Sequence, residues 1–478
     1  MRAIKKSLIM RGMVMLHYVV MVALFVVCWW QFYRFSANEH IFIAYSLSVC
    51  AMYAASLIML SRIYSAYKVG LMHVGELFYG QTLANLISLA ITYILACVLA
   101  RRLLNPLAGF GCAAVQALFS AAWTVSANRL YFTLHKPKRT VVIYRNENDL
   151  RKLEEIRFFG ERWSVERKVQ WPEDNVHDLP YGKEKIGGVA FEGIQKLMRI
   201  MEDYEAVFVS GVSATLRNGI VKYCVEKNKA CYFVPHTGDV IISGAEHIRS
   251  VSVPICRARR SRPAPEYLLL KRAMDIVLSL LAIIVLSPFM ALAALAIWSY
   301  DRGPVLYKQV RLTQDGRTFE ILKLRSMIVD AEKGGARLAG EHDDRITPVG
   351  RIIRAIRFDE LPQLFNILKG DMSIVGPRPE RPEIAEQYRQ ELPAFDLRLQ
   401  VKAGLTGYAQ IYGRYNTEPQ DKLKMDLMYI NHASLAEDIK LIFATVRVLF
   451  LRDSTSGVRE GQTTASVAEK TEKTEKSA

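Results

Sequence analysis

Residues 357–382 read RFDELPQLFNILKGDMSIVGPRPERP and carry the densest chemical signal in the chain. Two acids stand side by side at Asp359 and Glu360, and Arg378 follows between two prolines. Proline fixes the backbone, so the guanidinium of Arg378 loses little entropy when it grips phosphate with two hydrogen bonds. A carboxylate that can attack or hold a metal, near such a cation, indicates phosphoryl chemistry. A solvated proline-rich turn is the alternative for Arg378.

The two acids precede a segment whose apolar residues recur at helical spacing. Leu364 and Leu368 follow Pro362, and Gly370 ends the pattern. Because proline is tolerated in the first turn of a helix, the pattern predicts that the acids lie at a helix N-terminus. Orphan N–H groups and the helix dipole favour negative charge there. The alternative is that Asp359 is an N-cap without a chemical role.

An amphipathic segment comes just before the acids, and basic side chains gather around them. Arg351, Arg354 and Arg357 recur at three-residue spacing, while isoleucines take the opposite side. This pattern predicts a short helix that lies on a membrane with its arginines toward phosphate head groups, or an ordinary surface helix. The candidate substrate-binding and phosphate-binding residues are Lys323, Arg325, Arg345, Arg354, Gln363, Arg378 and Arg381.

Composition sets the outer limits of the fold. The chain has 478 residues, 51% of them hydrophobic, and a formal charge of +16, which indicates several domains and a membrane protein. Cations beside apolar runs favour membrane lipids as partners, and no nucleic-acid motif is found, so no nucleic acid is expected. The seven cysteines form no Cys-x-x-Cys pair, so neither a zinc site nor a disulfide framework is indicated.

Four apolar segments occupy a first domain at residues 1–136, and each has about the 20 residues that cross a bilayer. Flanking basic residues predict that both ends of the bundle face the cytoplasm, although Arg101 and Arg102 argue against this. No ionisable residue is expected in the middle of a segment, so the bundle is interpreted as an anchor. The segments are Met13–Tyr33, Ile41–Leu60, Leu83–Ala100 and Pro106–Val125.

Residues 137–255 change to a parallel α/β pattern. Short apolar strands at Thr140–Tyr144, Ala206–Ser210 and Ala230–Val234 alternate with helical stretches, which predicts a small Rossmann-like domain. A dinucleotide site needs a glycine-rich turn after the first strand, but the chain reads Arg145-Asn146-Glu147-Asn148 there. We therefore favour a structural or regulatory role over cofactor binding.

A basic linker at residues 256–266 leads to an apolar segment at residues 273–300, with Ser287 and Pro288 near its middle. Both flanks are basic, whereas a crossing helix carries its positive charge on one side. Proline removes a helical N–H and kinks the helix, and a neighbouring serine can satisfy the freed carbonyls. We therefore predict a re-entrant helix that dips into the membrane and returns, which keeps the acids on the cytoplasmic face.

The chain resembles the bacterial sugar transferases known as polyprenyl-phosphate hexose-1-phosphate transferases, which are monotopic phosphoglycosyl transferases, in their long form with four added helices. The resemblance is densest in a catalytic domain that we place at residues 267–452. Its landmarks are Lys271-Arg272-x-x-Asp275, Ser287-Pro288, Gln309-x-Arg311, Lys323-x-Arg325-Ser326-Met327, Asp359-Glu360-Leu361-Pro362-Gln363, Gly376-Pro377-Arg378-Pro379-Glu380 and Gly404-Leu405-Thr406-Gly407.

The resemblance implies an enzyme of the bacterial inner membrane with four transmembrane helices, a Rossmann-like α/β domain and a mainly helical catalytic domain. It implies that Asp359 attacks the β-phosphate of a UDP-sugar and releases UMP, and that undecaprenyl phosphate then takes the sugar phosphate. It also implies that Glu360 and Asp359 hold Mg²⁺, with phosphate oxygens steadied by Arg354, Arg378 and Lys323. The product would start an exopolysaccharide, capsule or O-antigen repeat unit.

Two other functions stay open. A metal-dependent glycosyltransferase would release UDP, but such enzymes usually present a spaced Asp-x-Asp pair, which this chain does not offer at Asp359-Glu360 or Asp343-Asp344. A catalytically inactive scaffold for polysaccharide assembly is the second. The sugar is not predictable, and a homo-oligomer and polysaccharide-assembly proteins remain open as partners. Residues 453–478 are rich in Ser, Thr, Glu and Lys, which predicts a disordered tail.

Overall fold

The computed structural model describes residues 2–33, 39–154, 162–171, 197–248, 255–261, 263–329, 331, 343–413 and 417–449. The predicted tail at residues 453–478 lies outside this set. The chain forms two compact units, Met1–Pro235 and His236–Ala478.

The first unit begins with four long helices. Five helices in the described ranges are apolar and long enough to cross a membrane, these four and Pro265–Asp301 in the second unit. The prediction of a membrane protein is therefore confirmed. The four N-terminal helices are α1 (Arg2–Tyr33), α2 (Glu39–Ile63), α3 (Val74–Ala100) and α4 (Leu107–Leu134).

Buried polar side chains join these helices to one another. The Tyr53 hydroxyl donates to Asn85 Oδ1 at 2.6 Å, and Asn85 Nδ2 donates to Gln116 Oε1 at 3.0 Å. Gln116 Nε2 closes the triangle by donating to the Tyr53 hydroxyl at 2.9 Å. Hydrogen bonds between helices within a bilayer each contribute about 0.6–2 kcal/mol.

His17 is an ionisable residue inside α1, although the sequence analysis expected none in the middle of a segment. The centre of its ring lies 4.5 Å from that of the Trp123 ring.

The first unit continues with a four-stranded parallel sheet in the order β2-β1-β3-β4. The three apolar strands expected from the sequence are present. Strand β2 was not expected, because its sequence, WSVERKVQ, is polar and the strand lies at the sheet edge, where one side needs no apolar partner. The elements are β1 (Lys138–Tyr144), α5 (Glu147–Glu154), β2 (Trp163–Gln170), β3 (Ala206–Ser210), α6 (Ala214–Glu226) and β4 (Ala230–Phe233).

The second unit is mainly helical, with short two-stranded sheets. Its core packs α10, β8 and β9 against α13 and α14. The elements are α7 (Thr237–Ser243), β5 (Glu246–Ile248), β6 (Ile255–Arg257), α8 (Pro265–Asp301), β7 (Leu306–Leu312), β8 (Thr318–Leu324), α9 (Pro348–Ala355), α10 (Gln363–Lys369), β9 (Ser373–Val375), α11 (Pro382–Glu391), β10 (Gly404–Thr406), α12 (Tyr408–Tyr412), α13 (Pro419–Asn431) and α14 (Leu435–Leu449).

The second unit starts earlier in the chain than the sequence suggested. The sequence reading ended the middle domain at residue 255, yet α7 packs on the catalytic elements. Asn431 Nδ2 on α13 donates to the carbonyl oxygen of Val240 on α7 at 2.6 Å, and Val240 is buried in the core of the second unit. The apolar residues Val240 and Ile241 make this attachment, and a run of only three apolar residues does not show in the sequence which domain it packs against.

Helix α8 is anchored to the second unit at both ends. Near its start, Lys271 Nζ donates to Asp438 Oδ2 at 2.8 Å, and Arg272 donates to the last carbonyl groups of α10. At its far end, the carboxylate of Asp301 accepts hydrogen bonds from both terminal nitrogens of Arg325. The helix is longer than the predicted segment 273–300. It remains one continuous helix through Pro288. Most of its surface between the ends is exposed apolar side chain.

Substitution of Asp438 tests the anchor at the start of α8. Asp438 is fully buried and accepts hydrogen bonds from Tyr267, Lys271 and Tyr429, each at 2.8 Å. Asp438→Ala leaves the Lys271 ammonium nearly buried and unpaired, so we expect the free energy of unfolding to fall by about 3–5 kcal/mol. Lys440→Ala, which removes a more exposed ion pair with Glu437, should change it by less than about 1 kcal/mol. Chemical unfolding in detergent, followed by circular dichroism, measures both; equal effects would contradict the anchor.

Candidate active site

The two acids lie in a single 3₁₀ turn, Phe358–Glu360, between α9 and α10. Helix α9 ends at Ala355, and Arg357 adopts a left-handed backbone with φ of +54°. This conformation costs a residue with a side chain about 1 kcal/mol or more, and it turns the chain toward the acids. Helix α10 begins only at Gln363. The expectation that Asp359 starts that helix is therefore wrong, because the backbone between Phe358 and Gln363 forms i→i−3 hydrogen bonds such as Leu361 N–H to the Phe358 carbonyl, and Pro362 has no N–H to donate.

Glu360 is the shared partner of three cations from three separate elements. Arg378 Nη2 donates to Glu360 Oε1 at 2.9 Å, Lys323 Nζ lies 3.4 Å from the same oxygen, and Arg357 Nη1 lies 3.9 Å from Oε2. Burial opposes ionisation of Glu360, but Arg378, Lys323 and Arg357 together hold the pKa of its carboxyl well below its usual range. Glu360 is thus a fixed anion.

Asp359 differs from its neighbour in every one of these respects. Its carboxyl is partly exposed, and no side chain in the described part of the unit makes a hydrogen bond or ion pair with it. Burial and the adjacent charge of Glu360 raise the pKa of Asp359, against the opposing charges of Lys323, Arg354 and Arg378. Asp359 is therefore a poorly solvated carboxylate, near cations that do not bind it. These are the properties of a nucleophile rather than of a structural anion.

The loop that carries Arg378 is held by backbone pairing and by a buried ion pair. Gly376 donates to the Thr406 carbonyl, and Gly404 donates to the Pro377 carbonyl, both at 2.8 Å. A Cβ on Gly404 would collide with the backbone of Gly376, so glycine is required for this close approach.

Arg398 fixes the other side of the same loop. Its Nη2 donates to the Arg378 carbonyl oxygen at 2.9 Å and lies 2.7 Å from Asp426 Oδ2. Arg398 and Asp426 are only 2% and 1% exposed. The buried pair therefore determines where the Arg378 guanidinium can reach.

The structure brings some of the sequence-predicted residues together and separates others. Lys323 and Arg378 contact Glu360, and the positive charge of Arg354 acts on Asp359 without a hydrogen bond or ion pair between them in the described residues. Arg325 instead pairs with Asp301, and Arg345 pairs with Asp343 at 2.6 Å. Neither contacts the two acids, because each has a closer carboxylate. The remaining candidates are buried Gln363 at the start of α10, Arg381 beside α11, and Ser287 and Pro288 in α8.

Three residues of the site were not among the predicted site residues. Arg357 was predicted on a helix face, whereas it follows that helix with a left-handed φ and lies 3.9 Å from Glu360. Arg311 donates to the Pro379 carbonyl oxygen at 3.1 Å, and the Gln309-x-Arg311 landmark was the signal that could have found it. Arg398 had no local signal, because its partners Asp426 and Arg378 are distant in sequence.

The donor set at the two acids fits Mg²⁺ in the mode that uses one or two carboxylates and completes its shell with water and substrate phosphates. Glu360 Oε1 is taken by Arg378 and Lys323, while Oε2 has only the more distant Arg357. Asp359 offers both oxygens. The residues present therefore suit a divalent ion that shares its coordination with a phosphate ligand.

A wide groove in the second unit lies away from the two acids. It has a volume of about 990 Å³ and is formed by the β5–β6 hairpin, the basic linker and residues 393–400. None of its lining residues is an acid of the 3₁₀ turn or a cation that contacts Glu360. The groove and the 3₁₀ turn are therefore different parts of this unit.

Comparison with known proteins identifies a family for the second part of the chain. Residues 266–452 match the family described as bacterial sugar transferase. The chain is 41% identical over 189 residues to a UDP-glucose:undecaprenyl-phosphate glucose-1-phosphate transferase of Caulobacter vibrioides. The aligned segment covers 38% of this chain and 71% of that protein. The chain belongs to the bacterial sugar transferase family.

Two further family members show how far the similarity extends. A UDP-N-acetylgalactosamine-undecaprenyl-phosphate N-acetylgalactosaminephosphotransferase of Aeromonas hydrophila is 41% identical over 190 residues, 39% of this chain and 45% of its own. A UDP-glucose:undecaprenyl-phosphate glucose-1-phosphate transferase of Escherichia coli K12 is 35% identical over 286 residues, 56% of this chain and 60% of its own. The chain thus spans about half the length of these two curated relatives.

Paired substitutions test the division of roles between the two acids without any assay of activity. Glu360→Gln leaves Lys323, Arg357 and Arg378 without their counter-ion, so at pH 7 we expect the free energy of unfolding to fall by about 3 kcal/mol. Asp359→Asn removes a charge that burial disfavours, so stability should stay the same or rise. Thermal unfolding in detergent compares the two variants. Equal destabilisation by both would show that Asp359 is also a structural anion.

Proposed function

We propose that this sugar transferase moves a hexose 1-phosphate from a UDP-sugar to undecaprenyl phosphate, in two displacements at one phosphorus atom. In the first, an Asp359 oxygen bonds to the β-phosphorus, the bond to the bridging oxygen breaks, and UMP leaves with the electron pair. In the second, a phosphate oxygen of undecaprenyl phosphate bonds to the same phosphorus and Asp359 leaves. The product is a lipid diphosphosugar, which would start a surface polysaccharide repeat unit.

The contrast between the two carboxyl groups carries this proposal. Glu360 binds three cations and has a lowered pKa, whereas Asp359 has no bonded partner and a raised pKa. A carboxylate that is not held by hydrogen bonds keeps its nucleophilicity. The cations near it can stabilise the charge on a phosphoryl group in the transition state of its transfer. The names of the relatives, which are undecaprenyl-phosphate sugar phosphotransferases, support the same reaction.

The remaining charged groups have distinct roles in this reaction. Arg378 and Lys323 keep Glu360 ionised and present their other N–H groups to phosphate oxygens. The charge of Arg354 acts on Asp359, and no side chain among the described residues makes a hydrogen bond or ion pair with Arg354. Mg²⁺, held by Asp359 and Glu360 together with the substrate, would neutralise the diphosphate of the donor. Binding of the donor is therefore expected to need both the ion and the arginines.

A re-entrant α8 and a cytoplasmic catalytic unit belong to the same proposal. The two ends of α8 contact one folded unit, through Lys271 and Arg272 at the start and Asp301 at the end. A helix that crossed the bilayer would separate its ends by the whole membrane, so these contacts support a helix that dips and returns. The site would then lie at the inner face of the cytoplasmic membrane, where the soluble donor and the lipid acceptor can both reach it.

For the middle domain we favour a structural or regulatory role. Asn146 Oδ1 accepts the backbone N–H of Asp149 at 2.9 Å, in the turn that follows β1. This is the position at which a Rossmann domain receives a pyrophosphate on free N–H groups. In this protein the Asn146 side chain already accepts one of those N–H groups, that of Asp149.

Replacement of Asp359 tests the covalent step. Asp359→Asn should lower sugar-phosphate transfer on the order of 10³-fold or more, because the amide is not a nucleophile. Incubation of wild-type protein with a UDP-sugar and without lipid should add one hexose phosphate to its mass and release one UMP. The variant should do neither.

Asp344→Asn is the matched control, because Asp344 is an exposed acid outside the 3₁₀ turn. It should keep wild-type transfer and the mass increase. Release of UDP instead of UMP by wild-type protein would favour a glycosyltransferase. Absence of turnover with every UDP-sugar tested would favour a scaffold.

The pH dependence of the first displacement should report the raised pKa of Asp359. Only the ionised carboxylate attacks, so kcat/KM for the UDP-sugar falls as pH drops through that pKa, above the ordinary value of about 3.9. Glu360→Gln removes the adjacent negative charge and should move this acid limb to lower pH in whatever activity remains. Asp344→Asn should leave it in place. An acid limb that Glu360→Gln does not move would contradict the coupling of the pair.

A further inference from the structure

A second group of charged side chains lies on the other side of the Arg378 loop from the two acids. Arg398 Nη1 is 3.6 Å from Glu380 Oε1, and its Nη2 binds both Asp426 and the Arg378 carbonyl oxygen. Arg311 donates to the carbonyl oxygen of Pro379 in the same loop. These contacts bring Arg311, Arg378 and Arg398 together around Glu380 and Asp426. The charges of Arg381 and Lys422 act on the same group, which then holds five cations and these two acids.

Lys422 is the least compensated member of this group. It lies in the first turns of α13, one turn before Asp426, so both side chains are on the helix face that meets Arg398. Asp426 is bound by Arg398 through Oδ2, and no side chain in the described ranges makes a hydrogen bond or ion pair with Lys422. A partly buried ammonium beside arginines is unfavourable unless an anion joins it.

The electrostatics of the group agree with this surplus of positive charge. Burial and the charges of Arg398 and Arg378 lower the pKa of Lys422, against the opposing charge of Glu380. Burial lowers the pKa of Arg311 to about 10, and the charges of Arg378 and Arg381 act in the same direction, again against Glu380. Glu380 is thus shared among several cations and does not neutralise any of them alone.

The surrounding surface favours a soluble anion over a lipid. Residues 377–392 and 417–431 expose no large hydrophobic side chain in the structure as described. On α9, by contrast, Ile352 and Ile356 are 68% and 56% exposed beside Arg354, as expected for a surface that meets a membrane. Arg378 is common to both regions, since its side chain binds Glu360 and its carbonyl binds Arg398.

We propose that Lys422, with Arg311 and Arg381, binds the phosphate monoester of the nucleotide that leaves in the first displacement. This inference rests on the proposed function. Cleavage of the diphosphate leaves an additional negative charge on the departing UMP, and Lys422 with its neighbouring arginines supplies the cations that stabilise it there. Arg378 lies between this subsite and Asp359, so it contacts the phosphates on both sides of the bond that breaks.

The test uses full-length protein in lipid nanodiscs and compares Lys422→Met, Lys422→Arg and the control Lys440→Met. Without lipid acceptor, exchange of labelled UMP into a UDP-sugar that supports turnover reports the first displacement alone. We expect Lys422→Met to weaken inhibition by UMP and raise KM for the donor about tenfold or more, because a charge-assisted contact to phosphate is lost. KM for undecaprenyl phosphate should not change, and Lys422→Arg should restore most of the loss.

Binding measured by thermal shift gives a readout that does not depend on activity. UMP should stabilise the wild-type protein, uridine should not, and Lys422→Met should abolish the stabilisation while Lys440→Met keeps it. The variant should fold, since it removes a charge that burial disfavours.

Unchanged UMP affinity in Lys422→Met would overturn the inference. A parallel rise in KM for undecaprenyl phosphate would also overturn it, because the subsite would then hold the lipid phosphate. Wild-type protein that binds UMP through Lys422 but catalyses no exchange would support this UMP site. The same result would contradict the proposed function.

Discussion

One carboxylate, that of Glu360, holds the active site together. It binds Lys323 from strand β8, Arg357 from the left-handed turn after α9, and Arg378 from the proline-flanked loop. These elements have no other common partner in the described site. The attraction within each ion pair must offset the free energy of removing its charges from water. This is possible here because one anion attracts three cations at a single, partly buried position. The strained backbone of Arg357 is part of that cost. Asp359 is held in this cationic field by its neighbour, without being bound by any of the three.

The sequence could reveal the parts of the site that are local in the chain. Asp359 beside Glu360, and Arg378 between two prolines, are visible as motifs because each is confined to a few residues. The different roles of the two acids could not be read in the same way, since they depend on Lys323 from a distant strand. Likewise, Arg325 and Arg345 look equivalent to Arg354 in sequence, yet each meets a carboxylate, Asp301 or Asp343, that only the fold brings near. Helix α10 was expected too early because the 3₁₀ turn that precedes it gives no periodic signal of its own.

The membrane bundle and the catalytic unit use buried polar groups in opposite ways. Tyr53, Asn85 and Gln116 satisfy one another, so they stabilise the packing of the helices and leave nothing for a ligand. Around Glu380 the balance is reversed, because the cations outnumber the acids. Natural proteins depart from full compensation mainly at functional sites. The surplus charge around Glu380 therefore fits the anionic ligand proposed for this part of the second unit.

The ion pair between Asp301 and Arg325 has a mechanical consequence. Asp301 is the last residue of α8, whose exposed apolar surface is suited to lipid, and Arg325 follows Lys323 by two residues at the end of strand β8. A tilt of α8 would therefore pull on the strand that carries Lys323, and through it on Glu360. Bilayer thickness and lateral pressure act on helix tilt at a cost of fractions of a kcal/mol per Å. The lipid composition around the protein is thus connected through few, rigid contacts to the carboxylate of Glu360.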